Sequence, residues 1–250
     1  MHFLSRSLSH LAHEWNGDLC AMEPTIIYED NHLLAINKPA GWLVQGDRTG
    51  DPTLTDWGKE YLRKKYAKPG AVFLTPAHRL DRPVSGAVLF ARTDKALSRL
   101  TALFRDRAVQ KTYLALVLTE PAKPSGELHH YLWKDEQRNI VQALSQPGPE
   151  AKESITRYEW VNQFGQLHLL RVHPLTGRPH QIRVQLAMMG CPILGDLKYG
   201  APTPLSDASI ALHSLSIELV HPVQLVSLLI EAPLPEKEWW TVVRKSVPPL

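Results

Sequence analysis

The chain has 250 residues, 44% of them hydrophobic, a formal net charge of +3 and two cysteines. That is enough apolar material for a substantial core. Cys20 and Cys191 are too few and too isolated for a disulfide framework or a zinc site, so a reducing cytoplasm and no structural metal are expected. The longest apolar runs fall short of the roughly eighteen residues a membrane helix needs, and residues 1–21 lack the apolar centre of a secretory signal; they read as a flexible N-terminal arm before a domain over 22–250.

The elements follow in order. Thr25–Asn37 alternates and then runs apolar on both sides of Asp30-Asn31, which predicts a hairpin leading into Lys38-Pro39-Ala40-Gly41. Thr53 can cap a helix with Leu54, Trp57 and Tyr61 on one face, ending before Pro69-Gly70. Ala71–Pro76 and Ala87–Ala91 predict strands around a polar loop from His78 to Gly86. Thr93 or Asp94 caps a second helix with Leu97, Leu100, Phe104 and Ala108 as its stripe, and the strand Thr112–Leu118 follows.

Pro121–Gly126 is a turn-rich break that could divide two lobes. Beyond it, His129–Leu144 and Ser154–His173 read as two strand pairs turning at Asp135-Glu136 and Phe164-Gly165. Pro179 suits the first turn of a helix that carries Ile182, Leu186 and Met189 inward and stops at Gly190, and Ile210–Ile230 supplies further strands. Strands dominate without a regular βαβ alternation, so the expected class is α+β: a mixed, mainly antiparallel central sheet with flanking helices.

Charge is unevenly spread. Between Lys38 and Lys111 there are 15 Lys and Arg against 7 Asp and Glu, a basic stretch that suits a polyanion such as RNA. The cluster Arg63, Lys64, Lys65 and Lys68 reads equally well as a solvated helix face.

Three polar clusters interrupt otherwise apolar surroundings: HRLDRPVSG (78–86), Lys111-Thr112-Tyr113, and TGRPHQIR (176–183). In the first, Asp81 lies between Arg79 and Arg82 on a loop stiffened by Pro83 and released by Gly86. Neighbouring guanidinium groups favour an ionised carboxylate able to act as nucleophile or base. A salt-bridged structural loop, or arginines contacting phosphates, fits the same residues. Tyr113 alone reads as strand packing, and Arg183 alone as a solvent-facing helix arginine.

These blocks, together with QKTYLALV (110–117), YEDNHLLAINKPAG (28–41) and PILGDLKYG (192–200), resemble the signature motifs of the RluA-like pseudouridine synthase family, in the family's order and over roughly Ile26 to Pro235. The resemblance implies a mainly antiparallel sheet crossed by a catalytic cleft. It implies an enzyme that isomerises a uridine of structured RNA to pseudouridine, with no cofactor. It also assigns Asp81 as the essential catalytic residue, Tyr113 as the tyrosine that stacks on the target base, Arg183 as the basic partner of the carboxylate, and Arg79 as the side chain that displaces the base. His78, Arg82, Arg178, His180 and Gln181, in the same motifs, are expected RNA contacts. Two positions depart from the usual pattern: Gln185 stands where members often have His, and Pro179 where they often have Thr.

Large-subunit ribosomal RNA is the expected substrate, with transfer RNA, or a catalytically silent RNA-binding relative, as alternatives. The working unit is expected to be a monomer. Some relatives carry a small RNA-binding domain ahead of the catalytic one, which about twenty leading residues could not form. Target choice is then expected from the catalytic domain, helped by the basic face of the helix ending at Lys65. The chain has no GxGxxG, GxxxxGK or HExxH motif, and no HxE with PCxxC as a zinc deaminase would need. A hydrolase using Asp81 would release free uracil. Whether Asp81 adds to C1′, adds to C6 or takes the 2′ proton is open at this level.

Overall fold

The computed structural model describes residues 22–246. The expected arm over 1–21 lies outside the described residues. The hairpin is present as β1 (Thr25–Glu29) and β2 (Leu33–Lys38). Its turn is held by Asp30, whose carboxylate accepts the N–H groups of His32 and Leu33 at 2.7 Å each.

Helix α1 (Leu54–Lys65) starts where the sequence places it, with the Thr53 hydroxyl accepting the Asp56 N–H at 3.1 Å. Gly58 lies where α1 meets the core; a Cβ there would come within 2.6 Å of the Leu74 side chain. The basic last turn of α1 is largely occupied within the protein. Arg63 and Lys64 pair with Glu60, and Lys65 with Glu29 at 2.7 Å. These bonds account for the basic cluster locally, alongside the favourable placement of cations at a helix C-terminus.

After β3 (Thr75–Pro76) come β4 (Ser85–Ala91), helix α2 (Asp94–Arg105) and β5 (Gln110–Val117). The expected strand over Ala71–Pro76 shrinks to two residues because it meets only the end of β4, at Ala91 and Phe90. Thr93 is the cap of α2, accepting the Ala96 N–H at 3.2 Å. Ala108 does not belong to its stripe: α2 ends at Arg105, Arg107 turns into the left-handed region, and Ala108 is exposed.

The second half contributes β6 (Ser125–Asp135), β7 (Ile140–Leu144), β8 (Lys152–Phe164) and β9 (Leu167–Pro174). Helix α3 (Gln181–Met188), strands β10 (Leu212–Val220) and β11 (Ser227–Glu231), and helix α4 (Glu238–Ser246) complete the chain. Helix α4 was not expected from the sequence pattern. It brings Trp239, Trp240 and Val243 onto the main core.

One sheet runs through the molecule in the order β1-β2-β4-β10-β5-β9-β8-β6-β7, with β3 beside β4 and β11 beside β10. The segment 121–126 leads directly into β6, which pairs with β8 of that same sheet. Strand pairings are antiparallel except between β4 and β10, which run parallel at Ser85–His213 and Gly86–Ser214. The fold is therefore α+β with a mixed, mainly antiparallel sheet.

Strands β2 and β4 are buried on both faces, which is why their sequences run apolar instead of alternating. Leu34, Ile36, Val88 and Phe90 enter the core beneath α1. Leu33, Ala35, Ala87 and Leu89 enter the one beneath α2.

At the contact between β4 and β10, Gly86 has φ +115 and a Cβ there would overlap the Ser214 backbone. Only glycine supplies both the conformation and the space. That approach sets the base of the loop carrying Asp81.

A polar cluster ties α1 to the hairpin. The Glu29 carboxylate receives Lys65 Nζ at 2.7 Å, the Tyr61 hydroxyl at 2.8 Å, the Tyr66 hydroxyl at 2.6 Å and Arg92 at 3.1 Å. Burial alone would raise its pKa, but the bonds from Lys65, Tyr66 and Tyr61 outweigh that and hold it at about 2. A carboxyl depressed on folding contributes stability above its ordinary value of 4.5, and that contribution fades as pH falls toward 2. Glu29→Gln is expected to lower the urea midpoint at pH 7, with the difference from the parent protein shrinking steadily below pH 4. Equal differences at both pH values would contradict this role.

Candidate active site

The loop from Leu80 to Val84 is gripped from both sides. On one side the Lys38 side chain is fully buried, and its ammonium donates to the carbonyls of Pro39, Trp42 and Arg82 at 3.0, 2.8 and 3.1 Å. Three donors meet three acceptors. Burial nevertheless pulls the Lys38 pKa down to about 7, against the attraction of Asp81. The Gly41 N–H adds a bond to the Arg82 carbonyl at 2.8 Å. On the other side the Ile210 N–H reaches the Pro83 carbonyl at 3.1 Å, and within the loop Val84 N–H closes a turn onto Asp81 O at 3.1 Å.

Asp81 projects from this loop with its side chain 26% exposed. Its Oδ2 accepts from Arg183 Nη1 at 2.9 Å. Its Oδ1 has no hydrogen-bond donor among the described residues.

The guanidinium that bonds Asp81 is that of Arg183. Arg82 turns back, donating to Gly41 O at 3.0 Å and pairing with Asp51 at 2.7 Å. Arg79 is exposed and has no ion pair among the described residues.

The first six residues of helix α3, Gln181, Ile182, Arg183, Val184, Gln185 and Leu186, are all buried, so this part is enclosed on every face. Arg183 thus departs from the solvent-facing expectation, at 5% exposed. Such a helix is stable only if each polar side chain finds partners.

Arg183 finds a fork. Its Nε and Nη2 bind the two oxygens of Asp196 at 2.7 and 2.8 Å, leaving Nη1 for Asp81. The Tyr199 ring lies 5.1 Å from its guanidinium carbon. Burial opposes the charge, but the bonds and charge of Asp196, then Asp81, raise the Arg183 pKa beyond its already high ordinary value. Asp196 and Tyr199 sit at the two ends of a short 3-10 turn, Leu197–Tyr199, in the PILGDLKYG block. Neither received a role from the sequence. The one available signal was a single carboxylate in a glycine-rich stretch whose other charge is Lys198.

Tyr113 is 7% exposed on β5. Burial pushes its phenol up to about 12, with the Asp81 charge adding in the same direction. The phenol is therefore neutral at physiological pH. The three expected catalytic residues gather at one place, from three elements far apart in the chain.

The expected RNA contacts divide. The His78 ring turns inward: Nε2 accepts the Leu89 N–H at 3.1 Å and the ring stacks on Phe104 at 5.3 Å. Burial drops its pKa to about 3, so it is neutral. Gln181 is 4% exposed and spends its amide on Thr156, Thr176, Ile155 O and Arg178 N–H. In both, the ring nitrogen or the amide is engaged within the fold.

Arg178 is half-buried, with Nε on the Glu153 carbonyl at 3.0 Å. His180 precedes α3 beside Asp81. The helix begins at Gln181, two residues past Pro179, because His180 is in the left-handed region. Gln185 is fully buried; it accepts from Thr156 at 2.7 Å and donates toward Leu128 O and Ser154 O at 3.1 Å. The departure at this position is thus a packing feature of α3.

Breaking a buried pair from one side leaves a charge uncompensated. Asp196→Asn is expected to cost ~3 kcal/mol, by urea denaturation at pH 7, and to lower activity by loosening Arg183. A variant of parental stability and activity would remove Asp196 from the site.

A family profile described as RNA pseudouridylate synthase matches residues 32–188. The chain is 37% identical over 219 residues to ribosomal large subunit pseudouridine synthase C of Vibrio cholerae, covering 85% of this chain and 66% of that protein. It is 34% identical over 229 residues to the protein of the same name from Escherichia coli, covering 87% and 69%. The chain thus spans about two thirds of the length of these relatives. Among solved structures, it is similar to human RNA pseudouridylate synthase domain containing 4, at TM-score 0.70 and 26% identity over 84% of this chain and 88% of the other.

Proposed function

The chain belongs to the RNA pseudouridylate synthase family, and we propose that it isomerises a uridine of large-subunit ribosomal RNA to pseudouridine, with Asp81 as the group that acts on the nucleoside. The observation that carries this reading is the state of the Asp81 carboxylate. One oxygen is held by a buried, permanently charged arginine; the other has no donor among the described residues, and the charge of the carboxylate reaches the neutral phenol of Tyr113. A carboxylate aimed in this way is pre-organised for a substrate and costs no reorientation when one arrives.

The names of relatives at 34–37% identity support the ribosomal substrate over transfer RNA. The presence of Asp81, Tyr113 and Arg183 in one assembly speaks against a silent RNA-binding relative. A buried free thiol at Cys191 suits a reducing cytoplasm.

A uridine within a folded RNA must leave its stack, at a cost on the order of a few kcal/mol. In this reading Arg79 fills the gap, which its exposure two residues before Asp81 supports, and the Tyr113 ring takes the base. Bond cleavage at N1 and rejoining at C5 conserve all atoms and electrons, with the N1–C1′ bond exchanged for a C5–C1′ bond and the C5 proton lost as N1 gains one.

Asp81→Asn is expected to keep folding and RNA binding and to yield no pseudouridine, read by chemical labelling and mass analysis of ribosomal RNA. Product at a near-normal rate from that variant would end the assignment, and release of free uracil would mark a hydrolase instead. For Arg79→Ala the expected loss is milder and larger on a folded RNA than on an unfolded fragment in single-turnover assays. Equal slowing on both would remove its role in base displacement.

A further inference from the structure

His180 combines three unusual features next to Asp81. Its backbone is left-handed, φ 51 and ψ 17, a conformation that non-glycine residues adopt only when their surroundings enforce it. Its Nδ1 lies 2.7 Å from the Tyr199 hydroxyl, and its Nε2 lies 4.0 Å from Asp81 Oδ2. The two rings meet edge to face at 5.7 Å. The ring is thus located at both nitrogens.

The Tyr199 hydroxyl also accepts the backbone N–H of Val141 at 3.0 Å. A phenol has one hydrogen to give, and here Nδ1 is the acceptor within reach of it. Tyr199 then donates to Nδ1, the ring proton resides on Nε2, and that N–H faces the carboxylate. Val141, Tyr199, His180 and Asp81 form a directional chain.

We infer that Tyr199 fixes His180 as the neutral Nε2–H form, and that His180 is a positioning residue which closes on Asp81 Oδ2 when RNA fills the site. Oδ2 would then be held by His180 and Arg183 together, leaving Oδ1 to meet the nucleoside. This rests on the proposed role of Asp81 and goes beyond it, since it assigns His180 and Tyr199 to the carboxylate and not to the RNA.

The charged groups around His180 are Asp81, Arg183, Lys198 and Asp196, two of each sign, while burial lowers its pKa. Double protonation would force Nδ1 to donate to Tyr199 and turn the phenol hydrogen out of its bond. Acid is therefore expected to reduce activity through this ring as well as through any carboxylate.

The test begins with long-range proton–nitrogen correlation spectra of the 15N-labelled full chain, without RNA, with the His180 signals identified by their absence in His180→Gln. An unprotonated Nδ1 and a protonated Nε2 at pH 7 are expected; a protonated Nδ1 would overturn the inference. Single-turnover kinetics follow. Tyr199→Phe keeps the ring against Arg183, and its rate is expected to fall roughly 10- to 100-fold at unchanged RNA affinity, with the acid limb of the profile moved to higher pH. His180→Gln, whose amide can donate in place of Nε2–H, should retain more rate than His180→Leu. A Tyr199→Phe profile that falls uniformly without moving, or glutamine and leucine variants of equal rate, would overturn the inference. The spectra of the free protein do not depend on the reaction, so failure here is distinguishable from an active Asp81→Asn.

Discussion

The site depends on one guanidinium shared between two carboxylates. Desolvating an arginine costs several kcal/mol, and a single bond to a half-exposed aspartate would not offset that. Asp196 offsets it with two parallel charge-assisted bonds matched to the planar fork. Because Asp196 takes Nε and Nη2, the guanidinium plane is fixed, and one N–H of Nη1 is aimed at Asp81. A lysine, with a compact and rotatable charge, could serve both carboxylates but could not fix the angle between them. The pair with Asp196 thus contributes geometry more than net stability.

The other half of the constraint is the loop that presents Asp81. Its backbone is fixed by Lys38 on one side and Ile210 on the other, and its exit by the contact of Gly86 with Ser214. These restraints come from β2, β4 and β10, which are neighbours in the sheet. Arg183 comes from a helix whose other polar side chains, Gln181 and Gln185, are neutral amides bonded to β8 and its surroundings. The two partners therefore belong to separately anchored bodies on one continuous sheet, and their separation is set by packing that neither charge controls.

Much of the fold was legible in the sequence, for physical reasons that vary by element. The hairpin around Asp30, the caps at Thr53 and Thr93 and the strand pairs after Gly126 are local: turn chemistry and side-chain capping depend on residues a few positions apart. Ala108 and the strand before Thr75 misled because apolar spacing continued past points where the chain turned. Helix α4 hid because its two adjacent tryptophans do not form a stripe readable as helix. Motif resemblance named Asp81, Tyr113 and Arg183 and paired Arg183 with the carboxylate; local spacing alone could not have chosen that arginine. That pairing spans 102 residues. Arg82, adjacent in sequence, looked better placed and turns to Gly41 and Asp51 instead.

The same logic explains why some motif residues are structural. HRLD and TGRPHQIR lie on opposite walls of the site, and each wall must be rigid for a carboxylate and a guanidinium to meet at 2.9 Å. His78 supplies rigidity by accepting a β4 amide that β3 is too short to reach, and Gln181 by closing the Thr176 turn against β8. A substrate needs few direct contacts in such a site, because the cost of alignment has been met by folding. On the HRLD wall, what is left facing outward is the exposed Arg79 and the Oδ1 edge of Asp81.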